Sequence, residues 1–562
     1  MCQSAKMRPS CIQRHSVCSD SSGLWTEQDR EIKSDGRIRP IYGCAMTNAA
    51  PQYCSTSGAR VTTKAGVVRG LRVAIDNREV HAFLGIPFAG PLIGAARFAN
   101  PSPVLPWDGE RLAIEHGPTP PQSHYPAPAS KFLDSVVIDG DDALNLSVWT
   151  MDPGAAENPV MVWIHGGAFV RGSHRLPVFD GTAFARDGVV VVGINYRVGA
   201  LGFLSIEGAP DNRGLRDQIA ALEWVRENIS AFGGDPDRIT VFGESAGAMS
   251  IAALLSSPKT GGLFHRAVMQ SGNPTAASNI ADARLVTGEF TKMLGISPTL
   301  ASVSDLSPEI LQRTQDALGA ELSAQPDPNR WGATVIERGF GVMSMFPTID
   351  GDVLPTLPID AIEAGAGDGV ELLAGTTRDE FRFFLVPSGL ASRITPETMP
   401  KLLTRFGVAD TTFELFSRNR PSEAPGDVLC ALLTDHAFRS GTTDLIDAVA
   451  RRPGGRAWQY EFAWPTTVGD LRACHALELA FVFDTLADSP PMTGDTPPQA
   501  LADEMHEAWV RFASSGNPGW DAVGARRPVR MFGDPHLDGE TVVSNPRDDE
   551  LKLFRPHRHI NS

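Results

Sequence analysis

The 562-residue chain contains no run of about 18 apolar residues, so no segment is long enough to cross a bilayer as a helix. Residues 1–40 also lack the apolar core of a secretory signal. Cysteine is scarce and badly placed for cross-linking. Of seven, Cys2, Cys11, Cys18, Cys44 and Cys54 crowd the first 54 positions, which leaves Cys430 and Cys474 for the body. An odd count with this clustering is no disulfide framework. Without a CxxC pair or an HxxxH partner, Cys2, Cys11 and Cys18 read as unpaired thiols rather than a metal site. Positive charge is in deficit: 50 basic against 66 acidic residues give −16, which repels phosphate backbones and anionic membranes. Nucleic acid and membrane are therefore not expected partners, and the expected compartment is cytoplasmic. Internal repeats are absent, and the one biased tract is the proline-rich PTPPQSHYPAP at 118–128.

What is present is the composition of a globular enzyme-sized domain: 42% hydrophobic and 21% charged residues. Residues 1–57 are polar and aperiodic, and are expected to be a disordered extension or a misassigned start, with Met46 an internal candidate. The domain is expected over 58–562. From 159 onward apolar runs alternate with helical patterns. PVMVWI, GVVVVGINY, RITVF, RAVMQSG, VELLAGT and AWQYEF are separated by amphipathic stretches such as LRDQIAALEWVRENISAF. Unalternated Val/Ile runs between helices predict strands buried on both faces of a mostly parallel sheet, hence an α/β fold. Helical patterns without strands at about 275–345 and 385–450 predict insertions over the carboxyl ends of the strands, where ligands bind in such folds.

The stretch RITVFGESAGAMS places Ser245 between Gly243 and Gly247, after a strand pattern and before a helix pattern. A serine on a strand–turn–helix elbow needs small flanking residues, and the helix start aims free N–H groups at the reacting centre. A hydroxyl becomes a useful nucleophile only when a base, oriented by a third group, takes its proton. Negative charge then building on the substrate carbonyl needs donors, and the glycines ending VMVWIHGGAFVRG (160–172) leave backbone N–H groups free to supply them.

The run NRGLRDQIAALEWVRENISAFGGDPDRITVFGESAGAMS (212–250) resembles the signature of the type-B carboxylesterases, the α/β-hydrolases that include cholinesterases and bacterial para-nitrobenzyl esterases. FLGIPFAGPLIGAARFANPSPVLPW, VWIHGGAF, GLFHRAVMQSG, FPTIDGDVLP, GTTRDEF and HALELAFVFD agree with it in family order, from about 60 to 520. The resemblance implies an α/β-hydrolase fold with Ser245 as nucleophile, Glu380 as the acid and His475 as the base. It also implies an oxyanion hole built from the N–H groups of Gly167, Ala168 and Ala246. No cofactor or metal is implied. Glu244 matches a glutamate that shapes the electrostatics beside the serine, and reads equally as a buried salt-bridge partner.

Several alternatives stay open in the sequence. Asp379 adjoins Glu380, while His165 and His436 compete with His475. Phe381 stands where the family pattern has glycine, HGGAF replaces HGGGF, and Ala143 occupies the position of a half-cystine found in secreted relatives. Cys474 reads as a small buried hydrophobe. Pocket shape is expected to depend on the insertions and on side chains such as Phe169. The implied activity is hydrolysis of small-molecule carboxylic esters through an acyl-enzyme, by a monomer or homodimer. Amide or carbamate hydrolysis by the same triad, or a non-catalytic cholinesterase-like binding role, are the alternatives.

Overall fold

In the computed structural model, which describes residues 52–55, 58–155, 157–537, 539 and 541–554, the β-branched runs form the centre of a twelve-stranded sheet. The readings of Cys2, Cys11, Cys18, Cys44 and Met46 lie outside the described residues. In chain order the strands are β1 (Gln52–Ser55), β2 (Leu71–Ile75), β3 (Arg78–Pro87), β4 (Asn145–Thr150), β5 (Asn158–Ile164) and β6 (Val190–Ile194). They continue as β7 (Gly234–Glu244), β8 (Arg266–Gln270), β9 (Glu371–Thr377), β10 (Ala457–Phe462), β11 (Pro528–Phe532) and β12 (Val542–Ser544). Their spatial order is 1-2-3-4-6-5-7-8-9-10-11-12. From β6 to β11 every pairing is parallel, and antiparallel strands close both flanks. β1 lies upstream of the boundary expected near Gly58 and pairs with β2.

Alternation along each central strand sends side chains to two separate cores. Val160, Val162, Ile164 and Val241 pack on one face with Leu222 of α1 (Arg213–Asn228) and Ile251 of α2 (Ala246–Ser256). Met161, Trp163 and Phe242 pack on the other, where a helix over Gln499–Ser515 contributes Trp509 and Phe512. Both faces are therefore covered, which is why these strands carry no polar alternation. The antiparallel strand β3, paired with β2 and β4, escaped the periodicity because it mixes REVH with an apolar half.

Helices fill both intervals expected to lack strands, although the first also holds a two-residue strand, Ser278–Asn279, paired in parallel with Thr348–Ile349. The first contains Ile280–Leu294 and α3 (Pro308–Ala324); Ser307 caps α3 by accepting the Ile310 N–H, and Pro308 sits at its first position. The second contains Asp410–Asn419, Pro425–Thr434 and Ser440–Ala450, the last two joined by a π-helical turn at Asp435–Arg439. No helix among the described residues is long and apolar enough to cross a membrane.

Candidate active site

Ser245 directly follows β7 and caps α2 with φ 53° and ψ −121°, a conformation that non-glycine residues rarely hold. The elbow is fixed on both sides. Ser245 N–H donates to Gln270 O on β8 (2.9 Å), and its carbonyl accepts the Met249 N–H (2.8 Å). The flanking glycines are needed for close approach: a Cβ on Gly243 would lie 2.7 Å from Ile164 O, and one on Gly247 would lie 2.0 Å from it. β5 and β7 are thus drawn together at the point where the serine leaves the sheet.

The loop after β5 turns through three consecutive residues with positive φ: Gly167 (112°), Ala168 (54°) and Phe169 (62°). Gly167 O accepts the N–H groups of Val170 and Arg171, whereas the N–H groups of Gly167 and Ala168 donate to nothing among the described residues. Ala246, as the first residue of α2, has no intrahelical acceptor for its own N–H. Gly167, Ala168 and Ser245 line one cavity of about 560 Å³ together with His475. The methyl of Ala168 is accommodated, at the cost of a left-handed alanine.

Glu380, three residues past β9, is fully buried. Its Oε1 accepts from the Thr377 N–H (2.8 Å) and the Ser271 hydroxyl (2.5 Å), and its Oε2 lies 2.5 Å from His475 Nδ1. The adjacent Asp379 sits among Arg472, Arg382 and Arg378 instead, its carboxyl raised by burial against their opposing pull. Of the two acids, the structure brings Glu380 to the histidine. Phe381 has φ −73°, so the turn after the acid needs no glycine. Its ring packs against Phe384 (5.2 Å between centroids) and Phe438 (6.2 Å), and it lines the cavity.

The rival histidines are elsewhere. His165 is buried, stacks on Tyr196 at 4.4 Å, and is pushed down to about 4 by burial, which keeps it neutral. His436 lies in the π-turn between Phe340 and Phe554. Its neighbours Ala437 and Phe438 face the cavity; it does not. A second Ser–His pair, Ser147 Oγ to His174 Nε2 at 3.0 Å, belongs to a buried cluster with His116 and Asn195. None of these four lines the cavity, and burial holds His174 well below the usual histidine range, so the pair is structural.

His475 is flanked by carboxylates. Its Nε2 lies 3.1 Å from Glu244 Oε1, off the axis of a hydrogen bond, and the Ser245 hydroxyl makes no hydrogen bond within the described residues. Burial alone would lower the imidazole, but Glu244 and then Glu380 outweigh it and hold the group up at about 9. Burial raises Glu244 to about 7 despite the attraction of His475. A further carboxyl, Glu478, is pushed up to about 8 by burial and by Glu244 and Glu380. These groups titrate together, and the arrangement favours the imidazolium. Glu244 is thus a buried charge partner of the histidine, which joins the two roles left open for it.

Sequence reasoning missed Ser271 and the chain from Trp509 through Gln270 to Glu478, with hydrogen bonds of 3.1 and 3.2 Å. It also missed the rings on His475, Phe438 at 5.0 Å and Phe384 at 5.2 Å. The available signal was position: RAVMQSG ends at the carboxyl edge, one strand from the elbow. Phe169 does not shape the pocket; it is buried against Phe203 at 4.9 Å. Cys474 is fully buried and its thiol is raised well above its usual range by burial. Cys430 and Cys474 are both free.

A serine on an elbow at the carboxyl edge of a parallel sheet, facing a histidine gripped by a buried glutamate, defines a serine hydrolase of the α/β-hydrolase fold. The chain belongs to the carboxylesterase family, whose pattern it matches over residues 57–528. It is 37% identical over 514 residues to the para-nitrobenzyl esterase of Bacillus subtilis, a match covering 88% of this chain and 98% of that protein. Identity to the fumonisin B1 esterase of Sphingopyxis macrogoltabida is 33%, over 86% and 88% of the two chains. A solved carboxylesterase of Geobacillus stearothermophilus superposes with a TM-score of 0.75 at 34% identity, over 88% of this chain and 99% of that one. The protein is an enzyme that hydrolyses carboxylic esters.

Proposed function

We propose that Ser245, His475 and Glu380 carry this hydrolysis, with Gly167, Ala168 and Ala246 as the oxyanion hole. Ser245 Oγ attacks the ester carbonyl while His475 Nε2 accepts its proton. The developing oxyanion takes hydrogen bonds from the three N–H groups, each worth about 10²–10³ in rate. The imidazolium then protonates the departing alkoxide, and water activated by the same nitrogen releases the acid. Glu380 fixes Nδ1 and stabilises the imidazolium, and Glu244 adds a second negative charge at Nε2.

The observation that carries this reading is the meeting of His475, backed by the buried Glu380, and the strained Ser245 on one cavity that Gly167 and Ala168, with their unused backbone N–H groups, also line. The cavity suits small-molecule esters with an apolar body, since Met249, Phe340, Phe381, Phe384 and Phe438 form much of its wall. Action in the cytoplasm, as a monomer or homodimer, completes the proposal; it is supported by the free cysteines of the body. Replacing Ser245 with alanine should abolish turnover of para-nitrophenyl butyrate with the circular dichroism unchanged. Retained turnover in that variant would remove Ser245 from the mechanism.

A further inference from the structure

Among the described residues Arg171 is the one permanently cationic residue lining the cavity, and the catalytic reading gives it no task. It follows the oxyanion loop directly. Its N–H donates to Gly167 O (3.1 Å), and its Cγ lies 3.3 Å from the point a Cβ on Gly167 would occupy. The side chain therefore starts beside the reacting centre and runs outward along the cavity. Its guanidinium is held but not saturated. Nη1 donates to His124 O (3.1 Å), and the Tyr125 ring stands 5.1 Å from the guanidinium carbon. Nη2 is 3.7 Å from Asp316 Oδ1, beyond hydrogen-bond reach, and Asp316 is 40% exposed. The edge formed by Nε and Nη2 makes no hydrogen bond among the described residues, and that edge is the pair of parallel donors which grips a carboxylate. Asp316 itself is held in place by α3, whose neighbouring Gln315 bridges Val170 O and the Ala200 N–H.

We propose that Arg171 recognises a carboxylate on the substrate, so that the preferred esters join an apolar body at the scissile bond to an anionic end reaching the cavity mouth. This rests on the Ser245 reading and specifies its substrate class. Asp316 is then a competing internal anion that a bound carboxylate displaces.

The test compares 4-nitrophenyl hydrogen adipate with its methyl ester, a neutral analogue of nearly equal size, at a pH where the free acid is ionised. The wild type is expected to favour the acid by about tenfold in kcat/KM, mostly through KM, with the preference fading at high salt. Arg171→Gln should erase the preference, and Asp316→Asn, on an exposed helix position, should raise it about threefold. An equal ratio in wild type and Arg171→Gln, or an unchanged or lower ratio in Asp316→Asn, overturns the role of Arg171. The neutral ester reports on the triad. If it is cleaved while the ratio fails to respond, Arg171 alone is refuted; if neither ester is cleaved, the Ser245 reading and this inference fall together.

Discussion

The two halves of the cavity are built by different means. The half around Ser245 rests on strained backbone: Ala168, Ser245 and Ala476 line it with positive φ, and Phe169 and Ser271, behind the cavity wall, hold positive φ as well. Five strained non-glycine residues persist there because the strands beneath over-determine them. The half facing it is made of side chains, with Phe340, Phe381, Phe384 and Phe438 brought by loops and helices outside the sheet core. Chemistry depends on atoms fixed to fractions of an ångström, whereas fit to a substrate tolerates repacking. The backbone half should therefore fail sharply when altered, and the aromatic half should change its preference.

That contrast can be broken in order of effect. Glu380→Gln preserves shape but removes the charge at Nδ1, and should lower kcat by about 10⁴ with KM nearly unchanged, read in steady-state kinetics. Gly167→Ala forces a Cβ to 2.2 Å from Arg171 O at φ 112°, so the oxyanion loop must move. A loss of about 10²–10³ in kcat is expected, together with a lowered thermal midpoint. Phe381→Ala belongs to the other half. It should cost about 3 kcal/mol in denaturant unfolding while kcat/KM shifts toward bulkier acyl groups and varies by less than about tenfold on small ones.

The smallest effect concerns proton balance. In the proposed mechanism the base is neutral His475, and its value near 9 is raised by Glu244 and Glu380 against burial. Activity should rise with pH through that value. Glu244→Gln removes one raising charge, so the acid limb of kcat/KM should move down by about one pH unit, and the ratio of activity at pH 6 to that at pH 9 should increase. An unmoved limb would show that Glu244 does not act on the base.

The parallel sheet was legible because its strands are buried on both faces and so read as unbroken apolar runs. The antiparallel strand β3 was not, since its first half is largely polar. The elbow was legible because its requirements are local: a strand, a helix start, and glycines two residues either side of Ser245. The glycine loop at 160–172 was legible as a source of free N–H groups, but the acid and the base were reached only through resemblance, as Ser245, Glu380 and His475 are joined by no local pattern.

Local sequence alone placed the elbow that carries Ser245, the proposed nucleophile, and required small flanks, because backbone sterics act over four or five residues. Only the tertiary structure decided that Glu380 rather than Asp379 meets His475, that His165 stays neutral beneath the loop, that Phe169 turns inward, and that Arg171 opens onto the cavity. Each depends on which strand ends are stacked side by side. That order is set by packing between segments as far apart as Ser271 and Glu380, 109 residues along the chain.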